Sequence, residues 1–147
     1  MEFQTREDVC RYMVSLLPDG ACTVLEPTPG EGNLVRALEG YEVTAPGEFW
    51  DVSGWFDAVV MNPPFTPMKE GYRILYAVMD MSDVIIALMP WLTLINSQGR
   101  TRGVVGFGLR SVTHLPRSVF PGARVQTCVL QMERGYSGDC GLSFYGL

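Results

Sequence analysis

Residues 59–67 read "VVMNPPFTP". An asparagine ends an apolar run, two prolines follow it, and a phenylalanine follows them. Proline has no amide hydrogen to give to a sheet ladder, so a strand must stop here. These residue types also fit a chemistry. The exocyclic amine of adenine is a poor nucleophile because its lone pair is spread into the ring. Two acceptors that hold its hydrogens restore that lone pair. The side-chain oxygen of Asn62 and the carbonyl of Pro63 are placed to be those acceptors. The pair Pro63–Pro64 fixes φ and stiffens the carbonyls, which keeps them preorganised. Phe65 offers a face on which a base can stack. The plainer alternative is a turn, since Asn-Pro often starts one, with Phe65 in the core.

A second stretch, "LEPTPGEGNLV" (25–35), carries Gly30 and Gly32. Glycines after a strand let the backbone approach a ligand closely. The spacing acid–Pro–x–x–Gly–x–Gly is not the dinucleotide fingerprint G-x-G-x-x-G. Glu26 at the strand end suits a ligand with an ammonium or hydroxyl groups and would repel a pyrophosphate. The alternative is a plain strand-to-helix turn.

These two stretches need elements to position them. Helical spacing of Val9, Tyr12, Met13, Leu16 and Leu17 predicts a helix over 5–17, with Thr5 and Asp8 in a capping pattern. Residues 22–27 read as a strand and 33–40 as a helix closed by Gly40. Strands follow at 41–45 and 56–62, the latter buried on both faces. A helix is expected over 69–81 and a buried strand from 83. Residues 96–108 hold four glycines and predict at best a poor helix. Two late strands, 110–116 and 124–133, come next, the second a candidate antiparallel partner, and the tail reads as loop or weak edge strand. Strands alternating with helices imply a doubly wound α/β sheet. Ligands of such sheets sit at the carboxyl ends of the strands near the switch point. Strands 22–27 and 56–62 should lie side by side there, and both end in unusual sequences.

"LEPTPGEG" resembles the first cofactor motif, and "NPPF" the catalytic motif, of S-adenosylmethionine-dependent amino-methyltransferases, above all the DNA adenine N6-methyltransferases. "EFQTREDVCRYMV" (2–14), "LMPWLTL" (88–94) and "SVTHLPRSVFPGARVQTCVLQME" (111–133) extend the resemblance over nearly the whole chain. It implies a single domain, 1–147, with a Rossmann-like three-layer α/β methyltransferase fold. The central sheet would be mostly parallel with an antiparallel late strand. It implies that Phe3, Gln4 and Thr5 hold the methionine part of S-adenosylmethionine and that Glu26, Pro27, Thr28, Gly30 and Gly32 line its methionine and ribose. Glu48 or Asp51 would supply the adenine and ribose contacts, and Asn62, Pro63, Pro64 and Phe65 would hold the target. Thr5 has a rival role as helix cap. The reaction implied is direct in-line methyl transfer to the amine, without metal or covalent enzyme intermediate. A duplex substrate would need its base flipped out.

The sequence departs from that pattern. Arg6 stands where the family has proline. Only about sixteen residues separate the helix ending near 39 from the strand at 56, so one βα unit is trimmed, which leaves open whether the 41–55 region still binds the cofactor. Rival expectations are methylation of RNA adenine or of a glutamine amide, or a catalytically degenerate nucleic-acid-binding module.

The rest bounds these expectations. The 147 residues suit one domain, and 47% hydrophobic with 18% charged is globular rather than disordered. The longest apolar run, 84–95, holds a proline and is too short to span a bilayer. No secretion signal is read at the start. Cys10, Cys22, Cys128 and Cys140 are spread out and form no CxxC pair, which argues for reduced cytosolic thiols. His114, the only histidine, is expected to be structural, and no metal is expected. The three tryptophans are expected at core or edge, with Trp50 and Trp55 flanking the trimmed region. Charge is uneven: residues 1–99 hold 14 acids and 5 bases, while 100–147 hold 2 acids and 6 arginines. A basic face allows an acidic protein to bind nucleic acid. DNA is the expected partner, with a separate recognition subunit or a second copy alongside. A phage or mobile-element origin, a cytoplasmic location and no membrane association complete the expectations.

Overall fold

The computed structural model describes residues 5–64, 67–122 and 125–147. Seven strands form one sheet: β1 (Thr23–Leu25), β2 (Glu42–Thr44), β3 (Ala58–Met61), β4 (Val84–Pro90), β5 (Leu109–Leu115), β6 (Thr127–Glu133) and β7 (Gly141–Phe144). Their spatial order is β2-β1-β3-β4-β6-β5-β7. All neighbours run parallel except where β6 lies antiparallel between β4 and β5. The late strand is therefore the antiparallel one, as its alternation predicts.

The sheet is covered on both sides. Val59, Met61, Ile85, Ala87, Met89, Leu130 and Met132 face one core with residues of α3 (Met68–Val78) and α5 (Gln98–Phe107). Val24, Ala58, Val60, Ile86, Leu88 and Val129 face the other, with residues of α1 (Glu7–Ser15) and α2 (Asn33–Ala37). Successive residues of β3 and β4 thus serve opposite cores, which is why these strands read as continuous apolar runs. The result is three layers. Among the described residues no helix is long and apolar enough to cross a membrane.

From β1 the chain crosses through α2 to β2 on one side, then returns to β3 on the other side of β1. The switch point falls between β1 and β3, which pair as Val24↔Ala58 and Leu25↔Val59. Between β2 and β3 there is no helix longer than a 3-10 turn at Phe49–Asp51, and β2 is an edge strand. The trimmed unit is visible as this bare edge.

Two expectations change, the cap of α1 and the glycine-rich stretch, while the tail takes the second of its two expected forms. No side chain caps α1: Arg6 occupies the N-cap position, and Asp8 instead pairs with Arg6 at 2.7 Å. The glycine-rich stretch is a full helix, α5, because Ser97 accepts the Arg100 amide hydrogen at its start. Gly103 also lets α5 lie against the Tyr76 ring, where a Cβ would meet ring atoms at 3.1 Å. The tail is the weak edge strand, β7, parallel to β5 and exposed along its length. A short α4 (Leu92–Ile95) links β4 to α5.

Candidate active site

The loop after β1 and the segment after β3 meet. Glu26 extends β1, its amide donating to the Thr44 carbonyl at 2.9 Å, and its side chain is 1% exposed. One carboxyl oxygen accepts the Thr28 amide hydrogen at 2.7 Å. The Thr28 hydroxyl lies 3.5 Å from that oxygen and donates at 3.2 Å to the Asn62 carbonyl, which ties the glycine loop to the Asn-Pro-Pro segment. Gly30 (φ +53°) and Gly32 (φ +91°) both have left-handed backbones, a conformation costly to any residue with a Cβ. Gly32 then begins α2. Pro27 is buried.

Asn62 is held from the other side. Its amide nitrogen donates to the Thr5 hydroxyl at 2.5 Å. Thr5 is 3% exposed, and its carbonyl accepts the Asn33 side-chain amide at 2.8 Å and the Cys10 thiol at 3.6 Å. The Thr5 hydroxyl thus serves Asn62 and not the helix end. The Asn33 oxygen in turn accepts from Arg36, which also donates to the Glu31 carbonyl at 3.0 Å. Asn33 is a candidate functional residue that the sequence does not mark. Its only signal there is its place, the first helical residue after the glycine loop.

With its nitrogen committed, Asn62 has its side-chain oxygen left as an acceptor. Among the described residues neither that oxygen nor the Pro63 carbonyl has a hydrogen-bond donor. Pro63 is buried, and Pro64 packs on the first turn of α3. A Cβ on Gly71 would stand 2.9 Å from the Pro64 carbonyl oxygen and 3.7 Å from the Pro63 Cβ. Phe3, Gln4 and Phe65 lie outside the described residues.

Burial pushes Glu26 up to about 8, against the opposing pull of the Thr28 hydrogen bonds. No cation pairs with it among the described residues. Burial also raises the Cys10 thiol to about 11 and the Cys128 thiol to about 12, so neither is a thiolate nucleophile near neutral pH. All four cysteines are free.

Glu48 and Asp51 stand apart from this network. Both are exposed on the 3-10 turn, where Glu48 accepts the Trp50 amide hydrogen at 3.4 Å. Trp50 is 44% exposed and donates to Glu70 at 2.8 Å, and Trp55 is also exposed. Trp91 is half-buried and donates to His114 Nδ1 at 2.9 Å, a structural use of the histidine.

By sequence the chain matches no protein-family model and no curated protein. By structure it is similar to the M protein of the type I restriction enzyme EcoKI (TM-score 0.73, 13% identity, 91% of this chain and 44% of that one). It is also similar to a type I restriction-modification methyltransferase subunit from Streptococcus thermophilus (TM-score 0.65, 18% identity, 92% and 46%). A dimethyladenosine transferase from Plasmodium falciparum superposes with TM-score 0.62 at 15% identity, over 90% and 63%. The chain thus spans less than two thirds of the length of each. Its fold is that of the S-adenosylmethionine-dependent methyltransferases.

Proposed function

We propose that the protein is an S-adenosylmethionine-dependent methyltransferase whose target is the exocyclic amine of adenine in DNA. The observation that carries this reading is the junction of the glycine loop with Asn62 through Thr28 and Thr5, at the switch point where such folds bind ligands. Glu26 supports the cofactor: a buried carboxyl without a counter-ion among the described residues is suited to an ammonium, which S-adenosylmethionine carries. Gly30 and Gly32 present backbone without side chains beside it. When bound, S-adenosylmethionine would supply a methyl group activated on a sulfonium.

The protein's own residues do the rest. The Asn62 oxygen and the Pro63 carbonyl accept the two amine hydrogens and localise the nitrogen lone pair. Thr5 fixes the Asn62 amide, and the prolines fix the carbonyl, so no reorganisation is needed as charge develops. Phe65 is the proposed stacking face. Phe3 and Gln4 belong with Thr5 in the proposed cofactor pocket, and Glu48 and Asp51 with its outer rim. Similarity to two restriction-modification subunits supports DNA, and sequence selectivity is assigned to a separate recognition subunit or a second copy.

Calorimetric titration with S-adenosylmethionine tests the reading, followed by labelled-methyl transfer to DNA, RNA and protein. Wild type and Asn62→Ala should both bind, and Gly30→Trp should not. Asn62→Ala should transfer about 10²–10³-fold more slowly, the usual effect of removing one preorganised hydrogen-bonding group. No binding by wild type at millimolar ligand sinks the cofactor assignment. Transfer only to RNA or to protein moves the substrate.

A further inference from the structure

The corner where α4 meets α5 has a charge with no counterpart among the described residues. Arg100 is half-buried at the start of α5, and its guanidinium carbon sits over the Tyr72 ring, 4.1 Å from the ring centre. One terminal nitrogen donates to the Leu92 carbonyl at 3.3 Å. Its Nε is buried without an acceptor, and no carboxylate reaches the guanidinium among the described residues. Four other arginines do have carboxylates: Arg6, Arg73, Arg110 and Arg134. The only other buried side-chain polar atom without a partner among the described residues is the hydroxyl of Thr93, next to Leu92. The Arg100 Nε is sealed from solvent, so an incoming group meets the terminal nitrogens, whose charge no carboxylate offsets among the described residues.

The place of this corner says which anion suits those terminal nitrogens. Leu92 begins α4 just after β4, the parallel neighbour of β3, at the same carboxyl end of the sheet as Asn62. Tyr72 follows Gly71, the residue that touches Pro63 and Pro64. Lys69, exposed and three residues before Tyr72, shares its helix face. The planar guanidinium is a fork for phosphate oxygens, and the ring beneath it and the Leu92 carbonyl hold it in place.

We propose that Arg100, seated on Tyr72, binds a phosphate of the nucleic-acid backbone beside the target nucleotide, with Lys69 on the flank. This rests on the nucleic-acid reading above and names the residue that seats the strand. S-adenosylmethionine has no phosphate, so the two sites are separable.

The test is fluorescence anisotropy of a labelled DNA duplex and a labelled single strand over a series of salt concentrations. The proteins compared are wild type, Arg100→Gln, Arg100→Lys and Arg102→Gln, each also titrated with S-adenosylmethionine. Arg102 is exposed on the same helix and serves as the charge-matched control. Arg100→Gln should bind DNA roughly fivefold to tenfold more weakly near 0.1 M salt, with a log–log salt slope shallower by about 0.9 on duplex or about 0.7 on single strand. Its cofactor affinity should be unchanged. Arg100→Lys should keep the slope and lose part of the affinity, since it keeps the charge and loses the fork. Equal losses in Arg100→Gln and Arg102→Gln overturn the proposal. So does full DNA affinity in folded Arg100→Lys, or loss of cofactor in place of DNA. Wild type that binds cofactor but no DNA refutes the seat and leaves the cofactor assignment standing. Arg100-dependent DNA binding without cofactor binding supports the seat and refutes the methyltransferase.

Discussion

Glu26 joins chemistry to stability in a single side chain. Its carboxyl is buried at the end of β1 and titrates near 8, against an ordinary value of 4.5. A carboxyl raised on folding binds its proton more tightly in the native state than in the unfolded one. Stability from this group is therefore full below about pH 4.5 and declines as pH rises towards about 8. Glu26→Gln has nothing to ionise. The melting temperature of wild type should fall relative to Glu26→Gln between pH 5 and about 8, and parallel curves would refute the assignment. The same proton reports on the ligand. At pH 7 the group is mostly protonated, and pairing with an ammonium lowers its pKa, so binding should release close to one proton. Calorimetry in buffers of different ionisation heat reads that number. It should drop to zero in Glu26→Gln, whose affinity should also fall. Release that survives in Glu26→Gln assigns the proton elsewhere.

At the scale of elements, α3 and α5 show how glycines of one composition do different work. Gly71 sits in the first turn of α3, and an added Cβ would stand 2.9 Å from the Pro64 carbonyl. That atom is backbone of the candidate catalytic segment and cannot swing aside. Gly71→Ala should displace the Pro63–Pro64 carbonyls and slow methyl transfer at least tenfold while cofactor affinity changes little. Gly106 lies inside α5, exposed, with nothing within 4 Å of an added Cβ. Gly106→Ala should stabilise the fold by about 0.5–1 kcal/mol, raising the melting temperature by a few degrees with transfer unchanged. If Gly71→Ala transfers normally, α3 does not brace the segment. If Gly106→Ala melts lower, α5 depends on more than its helix geometry. These contrasts are invisible in sequence, where "QGRTRGVVGF" offers only an excess of glycine. What makes α5 a helix is its Ser97 cap and the flush fit of Gly103 on Tyr76, both of which depend on tertiary placement.

Across the whole molecule, legibility follows locality. Strands β3 and β4 announce themselves because each buries both faces, and β6 by the alternation of its residues. The pairing of β1 with β3 follows from alternating elements, and with it the meeting of Glu26 and Asn62. The Thr5–Asn62 bond spans 57 residues and the Asn33–Thr5 bond 28, so no local pattern encodes them. Strand β7 was legible only as a weak edge because its residues are exposed and do not alternate. It nevertheless covers the outer edge of β5. The Tyr145 amide donates to the His114 carbonyl at 2.9 Å, and its hydroxyl donates to Asp8 at 2.8 Å. The Tyr145 ring also packs on Tyr12 at 5.2 Å, so the tail is tied to α1, the helix that follows Thr5. A chain ending at Asp139 loses little buried apolar surface, since Leu142 and Phe144 are more than half exposed, and it should still fold. It should melt several degrees lower and self-associate, because the bare β5 edge then offers unpaired backbone to another chain. Circular dichroism melts and light scattering on the truncated chain check this. A truncated protein that stays monomeric with an unchanged melt would show that β7 neither guards the edge nor braces α1, and the Tyr145 ties to Asp8 and Tyr12 would then carry no stability.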